Sequence, residues 1–173
     1  IYTALRNEED SPASMAIKKF LASLYGNHPY ALPILGTKKS IQAIKRETLI
    51  KQHQQIIHPK NLVIAVVGDV DAHDIKERFE EKLKNWKPGT FKPVSVKAPK
   101  IPKKPVTVYS YQKKLQSHIV YGFLGTTLAS KDKYALELLI SVLSGQGGRL
   151  FLELRDKQSL CYTVSCSSVE GIE

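Results

Sequence analysis

The sequence predicts an α+β protein in two parts joined by a linker. Several stretches repeat apolar residues at helical spacing, and a continuous apolar run of strand length occupies residues 62–68. Residues 87–105 differ in composition, because they hold five prolines and six lysines. Such a segment is extended, semi-stiff and well solvated, so we expect a domain boundary there.

Apolar periodicity and end signals predict the individual elements. Ser11 caps a helix that Pro12 begins and Gly26 ends. Further helices are predicted at 40–57, 72–84, 131–143 and 149–157, and strands at 62–68, 106–112, 117–125 and 160–169. The uninterrupted apolarity of residues 62–68 predicts a strand that is buried on both faces.

Composition excludes some classes of protein and leaves others open. The chain has 173 residues, 42% of them hydrophobic, which is enough for a core and argues against general disorder. No apolar run approaches the roughly 18 residues of a membrane span. The net charge of +10 leaves a basic nucleic-acid-binding module as a low-ranked alternative. Lysines dominate this charge and aromatic residues do not interleave with a basic stripe, so nucleic acid is disfavoured.

The chain carries no targeting segment and no disulfide framework. It begins at Ile1 without a basic, apolar leader, and we expect it to be a piece of a longer protein. Cys161 and Cys166 lie five residues apart on a predicted strand, facing opposite sides, and cannot bridge each other locally. The cellular compartment therefore stays open.

The densest group of candidate functional residues lies at 147–164, where a helix is followed by a turn and a strand. Arg155 falls in the last helical turn and Tyr162 near the start of the strand, so both can point at one spot. A guanidinium beside a phenol can bind a carbonyl oxygen or an oxyanion. On these residues alone, Arg155 could instead pair with Glu153 or Asp156, and Tyr162 could be an edge-strand aromatic.

Two further groups are weaker candidates. His28 and Tyr30 lie in an irregular loop that we expect to pack down, either as a structural closure or as the border of a cleft. His73 and Glu77 stand one helical turn apart and fit a solvated helix face better than a metal pair. No two of the five histidines are four residues apart, so the motif H-x-x-E-H is absent and we predict no metal ligands here.

Three sequence blocks, in matching order and spacing, carry a family resemblance. The first is L-Y-G-N-H-P-Y at 24–30, followed by L-G-T at 35–37. The second runs from His58-Pro59 through the apolar strand to residue 71, and the third is the Arg/Tyr block at 144–164. Together they resemble the insulinase/pitrilysin-type (inverzincin) zinc metallopeptidases over nearly the whole chain.

The resemblance implies a domain plan. In that family, homologous α+β domains with mixed, largely antiparallel sheets flanked by helices form a clamshell, a fold of the type in LuxS and mitochondrial processing peptidase. Residues 1–88 would be the C-terminal part of the zinc-bearing-type domain and 89–105 the Pro/Lys-rich linker. Residues 106–173 would be the N-terminal, truncated part of the Arg/Tyr domain.

The resemblance also implies a function. Arg155 would orient substrate backbone carbonyls, and Tyr162 would donate its hydroxyl to the oxyanion formed when zinc-bound water attacks. Zinc would belong to the parent metalloendopeptidase, and this chain, the substrate-binding portion, would be inactive alone. Its partners would be a peptide or unfolded protein substrate and the remaining domains or a zinc-bearing partner subunit. The alternative is a non-catalytic partner or scaffold subunit of the same family.

Overall fold

The computed structural model describes residues 1–87, 89 and 95–171, and these residues form helices joined by irregular chain. The α-helices are α1 Tyr2–Asp10, α2 Pro12–Tyr25, α3 Lys38–Ala43, α4 Arg46–Ile56, α5 Ala72–Leu83 and α6 Lys133–Leu143. Two short 3-10 helices cover Pro29–Ala31 and Pro59–Asn61, and a π-helix covers Phe151–Lys157. None of the helices in these ranges is long and apolar enough to cross a membrane.

The predicted α+β class with largely antiparallel sheets is wrong for this structure. Across the described ranges, strand-type pairing is limited to one isolated parallel bridge between Thr127 and Gly171. The four predicted strands are neither helical nor paired into a ladder. Their apolar and β-branched residues favour an extended chain. A strand is stable only when it pairs with a second strand, and a local sequence pattern does not determine which segment that is.

The apolar run at 62–68 illustrates the error. Val63 is 94% exposed and Val67 is 99% exposed, so burial on both faces is wrong. More widely, Leu5 is the only buried apolar residue in the part of the chain that the structure describes. The apolar content of the sequence therefore does not become a large core here.

Helix α2 confirms the end signals read from the sequence. The Ser11 hydroxyl oxygen accepts a hydrogen bond from the Ser14 amide at 3.3 Å, and Pro12 occupies the first turn. Gly26 ends the helix with φ of 56°, a left-handed conformation that favours glycine. Helix α5 is capped in the same way, with the Asp71 carboxylate accepting from the amides of His73 and Asp74.

The helix predicted over 40–57 is two helices. Thr37 and Ser40 form a reciprocal capping box that starts α3, and Ile44 ends it with a ψ of 125°. Lys45 is also extended, and α4 begins after it. Apolar spacing did not reveal this break, because Ile41 and Ile44 keep helical spacing up to it.

The chain divides into two compact units. The first comprises Ile1–Leu5 and Ile34–Ser95, and within it the His58 ring is 2% exposed and packs against Gly89. The second comprises Arg6–Pro33 and Val96–Glu173.

Helix α2 makes two contacts that help to hold the second unit together. Lys18 of α2 pairs with Glu8 at 2.8 Å. Phe20 of the same helix lies so close to Gly122 that a methyl group there would strike its ring. The domain limits 1–88, 89–105 and 106–173 stay a prediction, and linker residues 90–94 lie outside the described ranges.

Candidate functional site

A tight glycine turn precedes the predicted Arg/Tyr pair. Helix α6 ends at Ser144, and Gly145 follows with φ of 79°, in the left-handed region. A side-chain carbon at Gly148 would collide with the backbone carbonyls of Leu143 and Ser144. The Gly148 carbonyl then accepts from the Leu152 amide at 3.1 Å, so the next helix starts directly from this close approach.

The following helix, predicted over 149–157, is a π-helix at Phe151–Lys157. Such helices are rare and short, and they often occur at functional sites. It ends in two backbone hydrogen bonds of 2.9 Å, from Ser159 to the Arg155 carbonyl and from Leu160 to the Leu154 carbonyl. Ser159 has φ of 53°, unusual for a residue with a side chain, and this left-handed residue redirects the chain toward Tyr162.

Arg155 lies against two aromatic rings. Its guanidinium carbon is 4.6 Å from the ring centroid of Phe151 and 5.1 Å from that of Tyr162. Both distances are within the range of cation–π attraction. Arg155 is half-buried, whereas Tyr162 is 79% exposed, so the pair is held in place yet open to a ligand. The structure thus brings the two predicted residues into contact.

The neighbouring carboxylate does not neutralise Arg155. Glu153 instead accepts hydrogen bonds from Lys157 at 2.8 Å and Gln158 at 3.0 Å. These bonds, with the Lys157 bond the largest cause, lower the pKa of the Glu153 carboxyl, and the same bond raises the pKa of Lys157. In the part of the chain described, no ion pair involves Arg155. Its five N–H donors therefore remain available for carbonyl oxygens.

A hydrogen bond anchors the segment that follows Tyr162. The Ser144 hydroxyl donates to the Cys166 carbonyl at 2.6 Å, joining the start of the glycine turn to the segment after the pair. Cys161 and Cys166 are both free thiols and both half-buried. The glycine turn, the π-helix and this hydrogen bond together determine the positions of Arg155 and Tyr162.

His28 and Tyr30 belong to a cluster of three rings. The His28 ring centroid is 4.7 Å from that of Tyr30 and 5.7 Å from that of Tyr25. His28 is 9% exposed, and its Nδ1 accepts a hydrogen bond from the Tyr30 amide at 3.2 Å. Tyr30 also packs against the backbone of Gly171. The expected packing of the loop therefore holds only in part, because His28 is buried whereas Leu32 is 70% and Ile34 103% exposed.

The described residues do not fit a zinc site. His73 Nδ1 lies 3.7 Å from the Glu77 carboxylate on α5, but both side chains are largely exposed. Throughout the described ranges, no three side chains among His, Cys, Asp and Glu come close enough to hold a metal ion. A protein zinc site needs three or four such ligands, so no step through zinc is assigned to this chain.

Two supporting residues were not predicted from the sequence. Phe151 forms one of the two aromatic surfaces against Arg155, and Ser144 anchors the segment beyond Tyr162. Phe151 stands four residues before Arg155, a spacing at which helical side chains meet, so its role was available from the sequence. The Ser144 bond spans 22 residues and had no local signal.

Comparisons with known proteins show the family to which the chain belongs. The family described as Peptidase M16 inactive domain matches residues 43–171. The chain belongs to this family, and its resemblance to the insulinase/pitrilysin-type peptidases is confirmed.

Relatives from several bacteria have similar names. A protein named as an uncharacterized zinc protease from Mycobacterium leprae is 30% identical over 162 residues, covering 90% of this chain and 36% of the relative. Another from Rickettsia bellii is 26% identical over 168 residues, covering 95% of this chain and 39% of the relative. The chain therefore spans little more than a third of the length of these relatives.

A solved structure gives a similar match. The crystal structure of a peptidase M16 inactive domain from Pseudomonas fluorescens is 27% identical, with a TM-score of 0.72. The match covers 92% of this chain and 39% of that one. The family model and this solved structure thus agree in matching the chain to the peptidase M16 inactive domain.

Proposed function

We propose that this chain is the substrate-binding portion of a zinc metalloendopeptidase and that it is inactive alone. The observation that carries the proposal is the Arg155–Tyr162 contact, in which a half-buried guanidinium without an ion-pair partner in the described ranges stands beside an exposed phenol. The names of the relatives, zinc proteases, supply the reaction class.

Arg155 and Tyr162 have different roles in peptide binding. Arg155 is held by its contacts with two aromatic rings, and its N–H groups donate to backbone carbonyl oxygens of a bound peptide. The Tyr162 hydroxyl donates to the carbonyl oxygen that gains negative charge when the peptide bond is attacked. His28 acts at the edge of the cleft by packing Tyr30, whose outer edge contacts the peptide.

The proposal keeps the domain plan read from the sequence. Residues 1–88 act as the C-terminal part of the zinc-bearing-type domain and residues 106–173 as the N-terminal part of the Arg/Tyr domain, joined by linker 89–105. The zinc ligands and the general base come from another part of the protein or from a partner subunit. The substrate is a peptide or an unfolded protein.

Peptide binding to the chain itself tests the pair. A fluorescent unstructured peptide is titrated with the wild-type chain, Arg155→Ala and Tyr162→Phe, and the dissociation constant is read from anisotropy. Arg155→Ala should weaken binding about tenfold or more, because lost hydrogen bonds to a charged donor are worth about 1.5–3 kcal/mol. Arg149→Ala, an exposed arginine earlier in the same segment, should leave binding unchanged.

Two results would contradict the proposal. One is equal binding by the Arg155→Ala and wild-type chains. The other is peptide hydrolysis by this chain with added zinc that Arg155→Ala abolishes, because it would make the chain a complete enzyme.

A second candidate is a non-catalytic partner or scaffold subunit of the same family. The family description itself, an inactive domain, favours it. In that case the Arg/Tyr pair completes a site whose metal belongs to another chain. The sequence of the complete protein separates the two candidates, because a motif H-x-x-E-H elsewhere in it supports the self-contained enzyme and its absence supports the partner.

A further inference from the structure

The net positive charge of the chain comes from one stretch. Residues 82–131 contain eleven lysines and neither an arginine nor an acidic residue. The remainder of the chain is close to neutral, with fifteen basic and sixteen acidic residues. Within the second unit, lysine pairs stand at 103–104 and at 113–114, and all four side chains are exposed. No ion pair in the described ranges involves them.

Residues 105–111, between the two lysine pairs, are exposed and lie outside any helix. In the described structure, no backbone hydrogen bond involves residues 105–111. Tyr109 is 90% exposed and Tyr111 is 91% exposed, and residues two apart in an extended chain share one face. Val106 and Val108 alternate with them and are 63% and 53% exposed. Free N–H and C=O groups in such a segment are a template for pairing with another strand.

We propose that residues 103–114, the lysine-flanked segment, bind an extended acidic polypeptide. The peptide pairs its backbone with residues 106–111 and contacts Tyr109 and Tyr111, and carboxylates near its two ends meet the lysine pairs. Lys104 and Lys113 are nine residues apart, about 30 Å in an extended chain, so the acidic groups of the peptide lie about nine to ten residues apart. The inference rests on the proposed function, because it names the class of substrate.

An acidic polypeptide fits these observations better than a nucleic acid. Arginine is the side chain that holds phosphate with two hydrogen bonds and stacks on bases, and the whole stretch 82–131 has none. Unpaired backbone groups offer a strand partner to a peptide and no comparable partner to a phosphate chain. Nucleic acid is therefore the competing outcome of the test.

The test compares three labelled probes with the chain. The first is a peptide of about twelve residues with two glutamates at each end and a threonine- and valine-rich centre, matched in length to the segment. The second has glutamine in place of glutamate, and the third is a single-stranded oligonucleotide of the same charge. The acidic peptide should bind at least tenfold more tightly than the other two, and its binding should slow amide hydrogen exchange at residues 106–111.

Charge reversal locates the site. The double variants Lys103→Glu/Lys104→Glu and Lys113→Glu/Lys114→Glu should each lower affinity for the acidic peptide tenfold or more and leave the glutamine peptide unaffected. The control Lys38→Glu/Lys39→Glu changes net charge equally at an exposed lysine pair elsewhere and should have a small effect. Tighter oligonucleotide binding, an equal effect of the control, or amides at 106–111 already protected without peptide would each overturn the proposal.

The Arg155→Ala variant separates this inference from the proposed function. It should weaken the acidic and glutamine peptides alike and keep their affinity ratio. If Arg155→Ala is without effect while the lysine variants abolish the preference, the proposed function fails and the acidic site stands. If Arg155→Ala weakens every peptide but no acidic preference exists, the acidic site fails and the proposed function stands.

Discussion

The guanidinium carbon of Arg155 lies 5.1 Å from the ring centroid of Tyr162. The seven-residue separation of the two is closed by the π-helix end and by the left-handed residue Ser159. Phe151 contacts the same guanidinium at 4.6 Å, so the cation has two aromatic contacts within one short segment. The arrangement makes the orientation of Arg155 depend on Phe151 as well as on Tyr162.

Phe151→Leu should weaken peptide binding although Phe151 need not touch the peptide. Loss of one cation–π contact, worth about 0.5–1 kcal/mol at an accessible site, releases the guanidinium and should raise the dissociation constant about two- to fivefold. Phe151→Tyr keeps the ring and is the control, with affinity close to that of the wild type. Unchanged binding by Phe151→Leu would show that Tyr162 alone positions Arg155.

Gly148→Ala should strongly destabilise the second unit. Its methyl group meets the backbone carbonyls of Leu143 and Ser144, which cannot rotate away as a flexible side chain would. We expect a loss of about 2 kcal/mol or more, measured by thermal and urea unfolding followed by circular dichroism. Gly147→Ala is a matched control, because nothing lies within 4 Å of a side-chain carbon there. Similar losses for both variants would contradict the close approach.

The Glu153–Lys157 pair gives a pH prediction. The pKa of Glu153 is lowered, so its contribution to stability is present above the ordinary glutamate pKa and is lost as pH falls through the lowered value. The pKa of Lys157 is raised, so its contribution is present below the ordinary lysine pKa and is lost as pH rises through the raised value. The pair therefore supports the π-helix throughout the range between the ordinary glutamate pKa and the ordinary lysine pKa.

Carbon NMR titration of the Glu153 carboxyl checks this directly. Lys157→Met should return the pKa of Glu153 most of the way to its ordinary value, and Gln158→Ala should return it less, because the lysine bond is the largest cause of the shift. Lys76→Met, which removes a looser partner of Glu80 at 3.7 Å, should leave the titration of Glu153 unchanged. A midpoint unaffected by Lys157→Met would refute the assignment.

Helix ends were predictable because their signals are local. Ser11, Gly26 and Asp71 act on backbone groups within four residues, and each does in the structure what its chemistry indicates. Strand pairing is a long-range property. The apolar run at 62–68 predicts an extended segment but does not determine which strand would pair with it. The sheets were therefore expected from pattern and resemblance and are absent from the described structure.

In the candidate site, too, local features were predicted from the sequence. The spacing of Arg155 and Tyr162 across a helix end was enough to suggest their meeting. The sequence left open a pair between Arg155 and Glu153, and the structure gives Glu153 to Lys157 instead, four residues later on the same helix. The left-handed Ser159 was not predicted, because that conformation favours glycine and a serine gives no signal for it. The π-helix was not predicted, because such helices are rare and have no simple sequence signature.

The near-absence of enclosed apolar side chains has a thermodynamic consequence. Heat-capacity change and denaturant sensitivity both scale with the surface that unfolding exposes. With Leu5 alone fully enclosed among the apolar residues of the described ranges, calorimetry of this chain should give a small heat-capacity increment and a broad, weakly cooperative melt. A dye that fluoresces when it binds apolar surface should show strong fluorescence before heating begins. A partner that covers these side chains should lower that fluorescence and make the thermal transition more cooperative.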